Sequence, residues 1–189
     1  MIRKAITIAA TAATAVCAAS VLYASPASAD TSWVGLQHSV DFTVYVPGET
    51  YGMERTKLER TRDCAEPMGA PHTTVSAVFK KSSTKKIKVY EAGHDDCWLP
   101  AAPILSAASV YKTFDVQDGA GTAEVRIDCM DGFEDCPEPS KSGIKEIGAW
   151  VYVPLKAANG HDATYAYVYS IGFSYSKLKD FVWSMGKVS

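Results

Sequence analysis

Apolar residues along this chain recur mostly at every second position, the period of a strand with one buried face. In Val40-Asp41-Phe42-Thr43-Val44-Tyr45-Val46 the even positions are apolar, and Pro47-Gly48 ends the run. Val75, Ala77 and Phe79 alternate likewise, and Ile87 and Val89 follow after Ser82-Ser83, so residues 74–90 predict a hairpin. Residues 110–116 predict a further strand. Asp118-Gly119-Ala120-Gly121 turns the chain, and Thr122 to Cys129 returns it. Residues 147–155 and 163–175 form the strongest alternating pair.

Three segments are less regular. Residues 49–63 are charged and alternate weakly. Pro103 followed by Ile104, Ala107, Ala108 and Tyr111 predicts a short helix opening on proline. Leu178, Phe181, Val182 and Met185 fit a helix, while Phe181, Trp183 and Met185 fit a strand. About eight short strands with short connections predict an all-β fold, an antiparallel β-sandwich or barrel.

The pair at 147–175 carries a further inference. Asn159-Gly160 is the two-residue signature of a type I′ hairpin turn. With it at the tip, Ala158 pairs with His161. Pro154 then faces Tyr165, Tyr152 faces Tyr167 and Trp150 faces Tyr169, while Val151 meets Val168 and Val153 meets Ala166. One face is aliphatic, made by Ile147, Ala149, Val151, Val153 and Leu155 with small partners. The other is a ladder of Trp150, Tyr152, Tyr165, Tyr167 and Tyr169, continuing by alternation to Phe173 and Tyr175. A one-residue slip would set the tyrosines against the valines. The ladder has two readings: a second packed layer, or an exposed platform on which sugar rings or other planar ligands stack.

The N-terminus sets the expected compartment. Arg3 and Lys4 precede an uncharged, alanine-rich run from Ala5 to Ala24, and Ala27-Ser28-Ala29 is a small-x-small cleavage site. Residues 1–29 therefore read as a signal peptide cut after Ala29, leaving residues 30–189 as one secreted, extracellular domain. A lipoprotein anchored at Cys17 is the rival, disfavoured by Val16 where a small residue is expected. Loss of Arg3 and Lys4 lowers the 19 basic residues to 17 against 21 acidic ones, a formal −4. That balance argues against a nucleic-acid binder, and no second apolar run is long enough to span a bilayer.

Four cysteines remain outside the leader, an even number that predicts disulfides, with Cys129–Cys136 and Cys64–Cys97 the favoured pairing of three. Around Cys129 and Cys136 lies an acidic loop. Asp128, Asp131, Glu134 and Asp135 could offer oxygens to Ca²⁺, but the spacing is not that of an EF-hand, and a disulfide-closed turn explains the loop without any cofactor.

Other candidates are weaker. Lys80, Lys81, Lys85, Lys86 and Lys88 cluster around one turn, either to dock anionic polymers or to guard a sheet edge against pairing. His94 and His161 sit in Gly-His-Asp turns that would suit a base and its orienting carboxylate. The chain has no GxSxG or HExxH motif. The leading expectation is a secreted binding module for a glycan, wall polymer or partner protein. Small secreted hydrolase and protease inhibitor are the alternatives, the latter presenting residues 129–139.

Overall fold

A computed structural model describes residues 32–64, 72–93, 110–117, 121–128, 139–157, 161 and 163–188. The predicted leader and its cleavage site lie outside these residues. So do Cys97, Cys129 and Cys136 of the expected disulfides, the expected helix at 103–109, and Asp131, Glu134 and Asp135 of the candidate calcium loop.

The alternating runs become strands of one antiparallel sheet. These are β2 (Glu54–Cys64), β3 (His72–Ser82), β4 (Lys85–Ala92), β5 (Val110–Asp115), β6 (Thr122–Ile127), β7 (Ala149–Leu155) and β8 (Thr164–Ile171), in the spatial order β2-β3-β4-β8-β7-β6-β5. Two meanders meet at β4 and β8. One runs β2-β3-β4; the other starts at the far edge and winds back through β5-β6-β7 until β8 pairs with β4. Among the described residues β2 and β5 do not pair, so the sheet is open and the barrel alternative is not realised. A two-stranded ribbon, β1 (Tyr45–Pro47) with β9 (Met185–Lys187), forms a second, smaller sheet.

One face of the large sheet is the core. Val75, Ala77 and Phe79 of β3, Ile87 and Val89 of β4, and Val125 and Ile127 of β6 are all buried on it. Val151, Val153 and Leu155 of β7 and Ala166 and Val168 of β8 complete it. Burying each of the valine, leucine, isoleucine and phenylalanine side chains contributes about 1.5–3 kcal/mol. The layer on top combines the ribbon with three short helices, α1 (Trp33–Gln37), α2 (Lys141–Glu146) and α3 (Tyr175–Trp183). Each helix begins at a serine whose hydroxyl accepts a backbone N–H: Ser32 from Gly35, Ser140 from Gly143 and Ser174 from Lys177. In α3 the helical spacing wins over the strand spacing. Leu178, Phe181 and Val182 point inward, and Phe181 meets Phe79 edge-on at 6.0 Å.

Several local expectations change. The charged stretch at 49–63 is mostly β2, an edge strand. The run at 40–46 gives only the short β1, because it crosses the core rather than joining the large sheet. Val44 and Tyr45 are both wholly buried there, so burial is not confined to alternate residues. Ile147 is 42% exposed where α2 ends, and β7 starts at Ala149. The second strand of the hairpin stops at Ile171. Gly172 takes φ +83°, and a β-carbon there would lie 2.3 Å from the Thr84 carbonyl oxygen, so only glycine fits. Beyond it Phe173 enters the core and Tyr175 opens α3. Neither belongs to the aromatic ladder.

Candidate functional site on the outer sheet face

The ladder forms in the register that Asn159-Gly160 predicts. Pro154 pairs with Tyr165, Tyr152 with Tyr167 and Trp150 with Tyr169, while Val151 meets Val168 and Val153 meets Ala166. On its other side β8 pairs with β4, which sets Tyr90 beside Tyr167 and Lys88 beside Tyr169. Continuing outward, Ser76 lies opposite Tyr90 and Glu59 opposite Ser76. In the neighbouring row Val78 lies opposite Lys88 and Lys57 opposite Val78. On the far side of β7, Glu124 is beside Tyr152 and Arg126 beside Trp150. Among the described residues, no helix or strand lies over this face.

The rings are in contact with one another. Trp150 and Tyr169 are 4.9 Å apart between centroids, and Tyr90 stacks on Trp150 at 6.3 Å. Tyr152 touches Tyr167 at 5.3 Å and lies nearly parallel to Tyr165, at 17° and 6.2 Å. This packing corrects the simple picture of an open platform. Trp150 is only 6% exposed and Tyr167 only 5%, so these two form the buried centre of the cluster. Solvent meets the rim instead: Tyr90, Tyr152, Tyr165 and Tyr169 are half-buried.

Asp128 fixes the centre. Its side chain is buried and accepts the indole N–H of Trp150 at 3.0 Å. It also bonds the Tyr169 hydroxyl. Burial first, and then the Asp128 charge, push that phenol up to about 12. Asp128 is thus engaged in holding two rings, whereas the sequence places it among calcium ligands. Gly148 allows the Tyr169 ring to lie close. At φ +121° its missing β-carbon would sit 3.0 Å from the Tyr169 hydroxyl. Arg126, also buried, reaches Glu124 at 2.7 Å. Among the described residues, no group of three or more His, Cys, Asp or Glu side chains is placed to hold a metal.

Lysines flank the ladder. The ammonium groups of Lys86 and Lys88 stand 5.9 and 6.0 Å from the centre of the Tyr169 ring. Lys57, Val78, Lys80, Lys86 and Lys88 line a shallow depression of about 430 Å³ on the same face. Tyr90 is a member of the site that the sequence does not single out, and Lys88, one of the five lysines around the turn, is brought to the ladder by the fold. Their outward position follows from alternation with Ile87 and Val89, but the β4–β8 pairing that brings them to the ladder has no local signal.

His161 is half-buried at an isolated bridge, and His94, Asp162 and residues 129–138 lie outside the described residues, so the hydrolase and inhibitor readings gain no geometry. No helix among the described residues is long and apolar enough to cross a membrane. Compared with known proteins, the chain matches no family model, no curated protein and no solved structure at a significant level.

Proposed function

We propose that this protein is a secreted binding module that holds an extracellular ligand (a glycan, a wall polymer or a partner protein) against the outer face of its sheet. One observation carries the reading. The inner face is closed by helices and the ribbon, while the outer face presents four half-buried tyrosines packed around a buried Trp150–Tyr167 centre. Tyrosines of this kind give an apolar ring face with a wet hydroxyl edge, suited to sugar rings and to protein contacts alike. The leader-like segment through Ala29 supports an extracellular setting. In this reading the two layers make a sandwich-like domain stapled by Cys129–Cys136 and Cys64–Cys97, and it works without a cofactor.

The test uses the rim, because changes at Trp150 or Tyr167 would disturb the cluster itself. Purified protein and a Tyr152→Ala/Tyr165→Ala variant are applied to immobilised glycans and wall polymers. Retention of the wild type and loss of the variant supports the face as the binding surface. Equal retention of both removes it.

A further inference from the structure

The five lysines around Ser82-Ser83 admit a simple structural explanation, the protection of a sheet edge from pairing with another chain. The sheet order removes that explanation for three of them. β3 is hydrogen-bonded to β2 and β4, and β4 to β3 and β8, so both strands are interior. Lys80, Lys86 and Lys88 project from the middle of the sheet, not from its rim. Only Lys57, on β2, belongs to an edge strand.

Their arrangement costs stability. Lys80 and Lys86 are direct cross-strand partners, and like charges opposite one another repel. Lys88 lies two residues further along the same face, and its ammonium is held below the usual lysine range by burial, then by Lys86 and Lys57, with Asp128 pulling the other way. Among the described residues, Lys57 of the depression pairs with Glu59 at 2.6 Å, and the charge of Asp128 acts on Lys88. Interior strands that gather three lysines next to a tyrosine rim suit a ligand that supplies further anions.

We propose that this basic depression and the adjoining tyrosines bind an acidic polysaccharide, a chain of sugar rings carrying repeated carboxylates. The proposal rests on the binding-face reading above and names its ligand class. Neighbouring strands lie about 4.8 Å apart, so the ammonium groups form a grid for charges repeated along a polymer. All four cations are lysines, compact point charges that accept single carboxylates in many orientations. The planar fork of arginine, which grips a carboxylate or a phosphate bidentately in one orientation, is absent from this lining. Tyr169 lies within 6.0 Å of both Lys86 and Lys88, so one sugar unit could set its ring on the tyrosine while its carboxylate meets an ammonium.

The experiment measures binding of the full chain to polygalacturonate, to uncharged dextran of similar length, to single-stranded DNA and to phosphatidylglycerol vesicles. It compares wild type, Lys86→Gln/Lys88→Gln, the more exposed pair Lys57→Gln/Lys80→Gln, and Tyr152→Ala/Tyr165→Ala, each checked for a native thermal melt. The wild type should prefer polygalacturonate to dextran. Either lysine pair should weaken that binding about tenfold, and added salt should weaken it further. Loss of binding in the tyrosine variant with both lysine variants unaffected would overturn the acidic ligand and leave the binding face standing. Unchanged binding in all three variants would remove both. Equal affinity for dextran, or tighter lysine-dependent binding to DNA or to the vesicles, would also sink the polysaccharide assignment.

Discussion

Val168 and Tyr169 are neighbours on β8 with opposite surroundings. Val168 lies between Val89 and Val151 on the covered face and is wholly buried. Tyr169 lies between Lys88 and Trp150 on the other face, half-buried and close to two ammonium groups. The inner face is where the fold is stabilised, through aliphatic and phenylalanine side chains that fit one arrangement. The outer face is ordered too, but by ring contacts and by Asp128, and it keeps polar edges towards water. A sheet stabilised from one side leaves its second side free to specialise.

Each face has an exception. On the inner face Glu91 is buried between Val75 and Ala166. Its Oε2 accepts the Tyr45 backbone N–H at 3.1 Å, which ties the ribbon to the sheet, while Oε1 has no partner among the described residues. Burial pushes its pKa from an ordinary 4.5 to about 8, so the carboxyl stays protonated at neutral pH. On the outer face the exception is the dry Trp150–Tyr167 pair.

The comparison breaks most readily at the core. Phe181→Ala should cost about 3–5 kcal/mol in urea unfolding, against less than about 1 kcal/mol for Tyr165→Ala on the outer rim. Similar costs would mean that the two faces do not divide the work as described. Next comes pH. Between about 4.5 and about 8 the unfolded chain releases the Glu91 proton that the folded protein keeps, so this group's contribution is best at low pH and declines as pH rises through that window. The wild type should lose a few kcal/mol there relative to Glu91→Gln, with no further change above it. Parallel stability curves for the two proteins would refute the buried neutral carboxyl.

Smaller effects sharpen the outer face. Trp150→Phe keeps a ring but leaves the buried Asp128 without the indole donor, and should cost about 1–3 kcal/mol. A neutral result would show that Asp128 does not anchor the cluster. Lys86→Gln should be neutral, or stabilising by a few tenths of a kcal/mol at low salt, because it removes the repulsion with Lys80. A clear loss of stability would mean that the lysines serve the fold and not a ligand.

Much of the fold is legible along the chain because its signals are local. Alternation places Val75, Ala77 and Phe79 on one face, and Ser82-Ser83 marks the turn that follows. At 147–171 a two-residue turn signal fixes the register, and the side-chain period of two then puts valines and rings on opposite faces. The sequence does not predict the helices α1 and α2. Each is only about one to two turns long, too short for a 3.6-residue period to emerge, and serine caps alone do not distinguish them from loops.

Which residues share a strand face, and how β7 meets β8, can be read along the chain, because both follow from backbone geometry over a few residues. The docking of β4 against β8 belongs to the folded sheet alone. That docking joins Lys86, Lys88 and Tyr90 to the ladder, buries Trp150 and Tyr167 at its centre, and makes the lysine-bearing strands interior. Pairing between distant strands depends on how the whole sheet buries its apolar face, and no local pattern records it. The same global packing holds Glu91 in the core, where its place in the alternation had put it but its charge had not.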